Sequence, residues 1–186
     1  MKRLFDITLA LVLLSILLIP MLVIGALVRL TSKGPALYWS DRVGRFNVIY
    51  RMPKFRSMLI NTPAVATHLL DNPDQYLSPI GSFLRRTSLD ELPQLWSVIK
   101  GDMGFVGPRP ALFNQKDLIE ARTEAGIDRL RPGITGWAQV NGRDGLSIIE
   151  KLEFDLTYFR HQSFWFDLKI LFMTLVRVLK RSGVSH

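Results

Sequence analysis

No charged residue interrupts Ile7 to Val28, and the run LALVLLSILLIPMLVIGALV within it is apolar almost throughout. At ~1.5 Å per residue, a helix of this length covers a bilayer core of ~30 Å. Its flanks ask for more than a simple crossing. Lys2 and Arg3 precede the run and Arg29 and Lys33 follow it, so the preference of basic residues for the cytoplasmic side draws both ends to one face. Pro20 removes a backbone hydrogen bond inside the run and bends a helix. A re-entrant helix that enters one leaflet, breaks at Pro20 and returns meets both demands. A spanning helix is the alternative, because basic residues at both ends do not forbid it. The run is too long for a signal-peptide core, and Arg29 to Lys33 lacks the small residues of a cleavage site.

Beyond the run the pattern shortens and changes period. Ala36 to Ser40 and Asn47 to Arg51, rich in aromatic and β-branched residues, bracket Asp41-Arg42-Val43-Gly44-Arg45 and predict a hairpin. Asn61 to Pro79, with three prolines, reads as a connection holding a short helix. Ser88-Leu89-Asp90-Glu91 fits the S-x-x-E capping box of a helix start. Pro93 sits more comfortably if the cap falls at Leu89 or Asp90. Ala111 to Leu130 alternates charged and apolar residues as a solvated amphipathic helix does. Ser147 to Arg160 is helical by period, with Ile148, Leu152, Leu156 and Phe159 in one arc and Asp155 at its edge. Asp167 reads as the N-cap of a last helix, Leu168 to Arg181. There Lys169, Arg177, Lys180 and Arg181 face away from Leu171, Phe172, Leu175, Val178 and Leu179. With Phe164, Trp165 and Phe166 before it, that helix suits the membrane interface, basic face to the headgroups, or else a place on the domain core. The sum is a mixed α/β fold, α-rich with a small β-hairpin: an anchor over residues 1–33 and a body over 34–186 ending in an interfacial helix.

Composition narrows the partners. The 186 residues suit one domain, and the lack of cysteine excludes disulfides, thiol catalysis and cysteine metal sites. Histidines 68, 161 and 186 show no ligand spacing, so neither a zinc site nor a histidine base is supported. A net charge of +8 calls for an anionic partner: lipid headgroups, nucleotide phosphates or nucleic acid. A hydrophobic share of 48% leans towards the membrane lipids, and the adjacent carboxylates of Asp90 and Glu91 weigh against nucleic acid.

The chemistry concentrates between Ser82 and Pro110. In a first helical turn, unpaired N–H groups and the helix dipole favour an ionised Asp90, the form that binds Mg²⁺ or attacks phosphorus; the plain alternative is an acidic helix start. Gly101 to Pro110 is a loop whose glycines let backbone approach a ligand and whose prolines stiffen the chain around Arg109. Such a guanidinium suits bidentate contact with phosphate, although a surface turn would look the same. Lys54 to Met58 reads as a solvated basic loop. Arg131 to Arg143 has the composition of a loop wrapping a ligand. Trp137 in it could stack on a base or sugar, or anchor the loop in the core, and Arg143 is a candidate for a nucleotide phosphate or a sugar. Asp155, near a buried face, needs a cation: a salt bridge to an arginine and a part in the active site are equal readings.

SLDELPQLW, KGDMGFVGPRP and RPGITGWAQVNGR, in that order, resemble the bacterial sugar transferases, the monotopic phosphoglycosyl transferases. The resemblance runs from the N-terminal apolar segment to KRSGVS. It implies a re-entrant anchor at the cytoplasmic face of a bacterial inner membrane. It also implies transfer of a phospho-sugar from a UDP-sugar to polyprenyl phosphate, by a ping-pong mechanism that needs Mg²⁺. Asp90 would be the nucleophile, with Glu91 beside it and both near the metal; Lys54 would join the active site, and Arg85 and Arg109 would hold phosphate. Two other classes use the same residue types: a membrane-bound metal-dependent phosphohydrolase and a non-catalytic basic binding module. The motif residues serve the phosphates, uridine and metal common to many donors, and a homo-oligomer is compatible with the sequence.

Overall fold

A computed structural model describes residues 1–63, 72–142 and 145–180. The apolar run forms one long helix, α1 (Lys2–Thr31), whose helical backbone continues through Pro20. Only a narrow side of α1 is covered: Asp6, Ala10, Ile24 and Val28 are buried, while Ile16, Leu18, Ile19, Leu22 and Val23 are at least half exposed. Among the described residues it is the one helix long and apolar enough, by length and composition, to cross a membrane.

Both ends of α1 are fastened to the same body. Lys2 Nζ donates to Asp167 Oδ2 at 2.5 Å, to Tyr158 Oη at 3.0 Å and to the Val106 carbonyl at 3.0 Å. Arg3 closes the C-terminus of a neighbouring helix by donating to the Val98 and Ile99 carbonyls at 2.5 and 2.8 Å. At the far end, Ile24 and Val28 pack with Phe55 and Leu84, and Arg29 donates to the Gly34 carbonyl at 2.6 Å. The basic residues that argued for topology are therefore bonded to protein at Lys2, Arg3 and Arg29.

The expected hairpin is present and longer than its sequence signal. Strand β1 (Leu37–Val43) pairs antiparallel with β2 (Ile49–Phe55), Tyr38 opposite Lys54. Lys54 thus belongs to a strand, where the sequence suggested a loop. Two short helices follow, α2 (Gly81–Arg86) and α3 (Leu95–Lys100), joined by a 3₁₀ segment over Leu89–Gln94. Strand β3 (Gly104–Val106) pairs in parallel with β4 (Gly133–Thr135). Helix α4 (Lys116–Glu124) and a 3₁₀ turn over Ile127–Arg129 lie between them, in place of one helix across Ala111 to Leu130. Helices α5 (Ile148–His161) and α6 (Phe164–Lys180) complete the fold. The helix-capping box belongs to α5, where Ser147 and Glu150 bond reciprocally.

Glycines from two motifs meet at the β3–β4 seam. A Cβ on Gly107 would lie 2.3 Å from the Arg131 carbonyl oxygen, and one on Gly136 would lie 2.1 Å from the Gly107 oxygen. These glycines let backbone approach backbone, whereas the sequence suggested approach to a ligand. The main core gathers Ala10, Tyr50, Met52, Leu95, Val98, Met103, Phe105, Val106, Val140, Tyr158 and Ile170, so α1 and α6 share it with the central elements.

Helix α6 differs from its expected setting. Asp167 lies in its first turn, buried, and accepts from Tyr158 Oη at 2.6 Å and from Lys2; the first-turn bond is made by Ser163 Oγ with the Phe166 N–H at 3.2 Å. Trp165, Phe172, Leu175 and Val178 are exposed, while Lys169 sits over the Trp137 ring, 5.4 Å from its centre. Part of the apolar side of α6 therefore faces outward, while Leu171 and Met173 pack against the core. Trp137 itself packs on Phe166 at 5.0 Å, which makes it a loop anchor.

Candidate active site

Ser88 sets the local geometry. Its backbone is left-handed, with φ 56° and ψ 18°, and its side chain makes no capping bond. The Glu91 N–H bonds instead to the Ser88 carbonyl at 3.2 Å. The predicted capping box is absent because Leu89–Gln94 is a 3₁₀ segment, which also accommodates Pro93 without breaking an α-helix. A serine held at positive φ beside two carboxylates is the kind of strain that functional sites retain.

The segment packs on β2, and this brings distant charges together. Lys54 Nζ lies 2.9 Å from Glu91 Oε1, and an Arg109 terminal nitrogen lies 3.7 Å from the same oxygen. Asp90 is 8% exposed. Burial is the main influence on its carboxyl and pushes it above the ordinary value; Lys54 pulls it down, Glu91 pushes it up, and Arg85 and Arg109 pull it down. Burial therefore acts against the ionised form that the first-turn argument favours, and the three cations act for it. Arg42, from β1, joins the same neighbourhood: burial and then Arg109 bring its guanidinium down to about 10, and it donates to the Pro110 carbonyl at 3.1 Å.

Arg109 is braced from behind. Arg122 of α4 donates to the Arg109 carbonyl at 2.8 Å, while its Nε and a terminal nitrogen reach Asp155 Oδ2 at 3.0 and 2.6 Å. Asp155 is 1% exposed and Arg122 8%. Of its two readings, the salt bridge is present: the Asp155 carboxylate is bound to Arg122, through which it reaches the backbone of Arg109.

Glu91 and Arg109 open onto a cavity of about 570 Å³. Leu13 and Leu17 of α1 form part of its wall with Leu92, Leu95, Phe105, Ile134 and Val140; Arg86, Thr87, Ser88, Gln139 and Arg177 supply polar groups. A largely apolar cavity with cations in its lining suits an anionic ligand with a hydrophobic portion.

Residues 1–181 match the family model described as bacterial sugar transferase. This chain belongs to the bacterial sugar transferase family. It is 40% identical over 186 residues to the uncharacterized sugar transferase EpsL of Bacillus subtilis, covering all of this chain and 91% of that one. It is also 40% identical over 185 residues to the UDP-glucose:undecaprenyl-phosphate glucose-1-phosphate transferase of Escherichia coli, covering 95% of this chain and 40% of that protein. The undecaprenyl-phosphate galactose phosphotransferase of Salmonella typhimurium is 35% identical over 198 residues, with 98% and 41% covered. The chain thus spans about two fifths of these two longer relatives.

In this sugar transferase the fold brings Lys54, Arg85, Asp90, Glu91 and Arg109 into one electrostatic neighbourhood. Arg143, His68, His186 and Arg181 lie outside the described residues. Arg42, Arg122, Gln139 and Arg177 were not assigned to the site from sequence. For Arg122 a signal existed, because Asp155 at the edge of an apolar face required a cation; for Arg42, inside a hairpin, there was none.

Proposed function

We propose that this chain transfers a sugar phosphate from a UDP-sugar to undecaprenyl or a related polyprenyl phosphate, releasing UMP. The names of the two longer relatives support the reaction class. The observation that carries the finer reading is Asp90, buried yet influenced by Lys54, Arg85 and Arg109, next to a Glu91 that lines a partly apolar cavity. An Asp90 carboxylate oxygen forms a bond to the sugar-bearing phosphorus as the bond to the UMP oxygen breaks, and UMP leaves with that electron pair. The lipid phosphate oxygen then attacks the same phosphorus, and the Asp90 carboxylate is released. Lys54, Arg85 and Arg109 neutralise the anions that would otherwise repel a carboxylate nucleophile.

Two adjacent carboxylates, Asp90 and Glu91, fit Mg²⁺. Among the described residues no three His, Cys, Asp or Glu side chains are grouped, and Mg²⁺ commonly takes one or two carboxylates and completes its shell with water and substrate phosphate. When bound it would supply positive charge at the diphosphate. A re-entrant α1 at the cytoplasmic face of the inner membrane is supported by the attachment of both its ends to one body.

The test is incubation with a UDP-sugar, Mg²⁺ and no lipid. The expected result is one UMP per protein and a mass gain of one sugar phosphate at Asp90, with Asp90→Asn silent. Full turnover by Asp90→Asn would overturn the nucleophile; release of free sugar phosphate without acceptor would favour a hydrolase.

A further inference from the structure

The cavity holds polar groups that the chemistry at Asp90 does not use. Gln139 is 8% exposed, and both its amide Oε1 and Nε2 are without a hydrogen-bond partner among the described residues. A buried amide left unpaired is costly, so a side chain kept this way in a cavity lining marks a ligand contact. The Thr135 and Thr174 hydroxyls, 2.7 Å apart, tie β4 to α6. Gln139 follows Thr135 by four residues and Arg177 follows Thr174 by three, so this tie brings the two into the same lining. Arg177 is half-buried there and makes no ion pair with the described residues. Leu13 and Leu17 line the same cavity from α1, whose other side is exposed and apolar. The lining therefore joins a cation and an amide to the flank of a membrane-type helix.

We propose that Arg177 and Gln139 seat the phosphate monoester of the lipid acceptor, with Leu13 and Leu17 against the adjoining hydrocarbon. The assignment rests on the transfer reaction proposed above. A guanidinium binds a phosphate dianion bidentately, and the neutral amide adds a donor without repelling it. A nucleotide-sugar has no long hydrocarbon to place on α1, so the lipid is the occupant that satisfies both parts of the lining.

Steady-state kinetics of the full chain in detergent, with long-chain polyprenyl phosphate and a UDP-sugar varied in turn, separate the two substrates. Arg177→Ala raises the acceptor KM roughly tenfold or more, the scale of one charge-assisted hydrogen bond. Arg177→Lys recovers part of the loss, and Gln139→Leu raises the acceptor KM by a smaller factor. The donor KM stays within roughly twofold of the parent value in each, because the donor contacts other cations. An acceptor KM unchanged in variants with the parent melting temperature overturns the proposal, as does a donor KM that rises by the same factor, which would assign the pair to the nucleotide. Should Arg177→Ala not fold, Arg177→Lys and Gln139→Leu carry the comparison. UMP release by the parent protein without lipid reports separately on Asp90: its absence would remove the covalent step and leave the KM comparison intact.

Discussion

Burial pushes the Asp90 carboxyl above its ordinary value of 3.8, and the nearby cations offset this only in part. For an acid whose folded-state pKa is raised, the stabilising contribution is complete below the unfolded value and is lost as pH rises through the folded one. At neutral pH an ionised Asp90 therefore opposes folding, while the proposed chemistry requires that ionised form. Asp90→Asn should melt at a higher temperature than the parent at pH 7 and release no UMP, and the difference in melting should shrink as pH falls towards 3.8. The same charges set the acid limb of UMP release. Lys54 gives the largest downward pull and Glu91 an upward push, so Lys54→Met should move the limb to higher pH and Glu91→Gln to lower pH. Melting curves and a pH profile of single-turnover UMP release check both, and a limb that neither variant moves would show that Asp90 is not the group titrating. Such opposition between stability and activity is expected where a site holds a destabilised reactive group.

Helices α4 and α5 meet through one buried pair, Arg122 and Asp155, and Arg122 passes that contact on to the backbone of Arg109. Removing one partner leaves the other charge buried and unpaired, a loss of about 3–5 kcal/mol in comparable pairs. Asp155→Asn should lower the unfolding free energy by that order, seen as a lower denaturant midpoint and melting temperature. It should also reduce kcat per folded molecule by roughly 10- to 100-fold if Arg109 holds the phosphate as proposed, since a misplaced guanidinium would no longer meet it. Measuring kcat against the folded fraction separates the two effects, and an unchanged kcat per folded molecule would reduce the pair to a strut. This element-level link also shows where sequence reasoning ended. Period and composition located α1, the hairpin, α5 to within a residue at each end, and α6, because these are local patterns. They identified the need for a cation at Asp155 but not Arg122, which is 33 residues away and reaches it only through tertiary packing. Likewise Ser88 takes its positive φ at the start of a 3₁₀ segment that packs on β2, and an S-x-x-E pattern has no means of announcing it. Gly107 and Gly136 were noticed as points of close approach, and the neighbour each approaches is another motif's backbone.

At the scale of the molecule, α1 is at once a membrane-type helix and a core element: Ala10 and Val28 are fully buried in the two hydrophobic clusters, while most of the helix surface is exposed and apolar. A helix standing across the bilayer would carry one end about 30 Å from the other face. Here the N-terminal end is bonded to Asp167 and Val106 and the C-terminal end packs on Phe55 and Leu84, all in one body that carries charged residues. Drawing that body into the hydrocarbon would desolvate its charges at several kcal/mol each, whereas an α1 that dips into one leaflet keeps them in water. The exposed apolar side of α6, with Trp165 78% and Phe172 67% exposed, adds a second surface for the interface. The chain contains no cysteine, so single replacements can be labelled without background. Leu4→Cys and Lys33→Cys flank the apolar run, and both positions are exposed. With a membrane-impermeant thiol reagent, both should react in inside-out vesicles and neither in sealed right-side-out cells. Reaction of one position from each side would show a spanning helix and would require the two ends of α1 to part from the body that holds them.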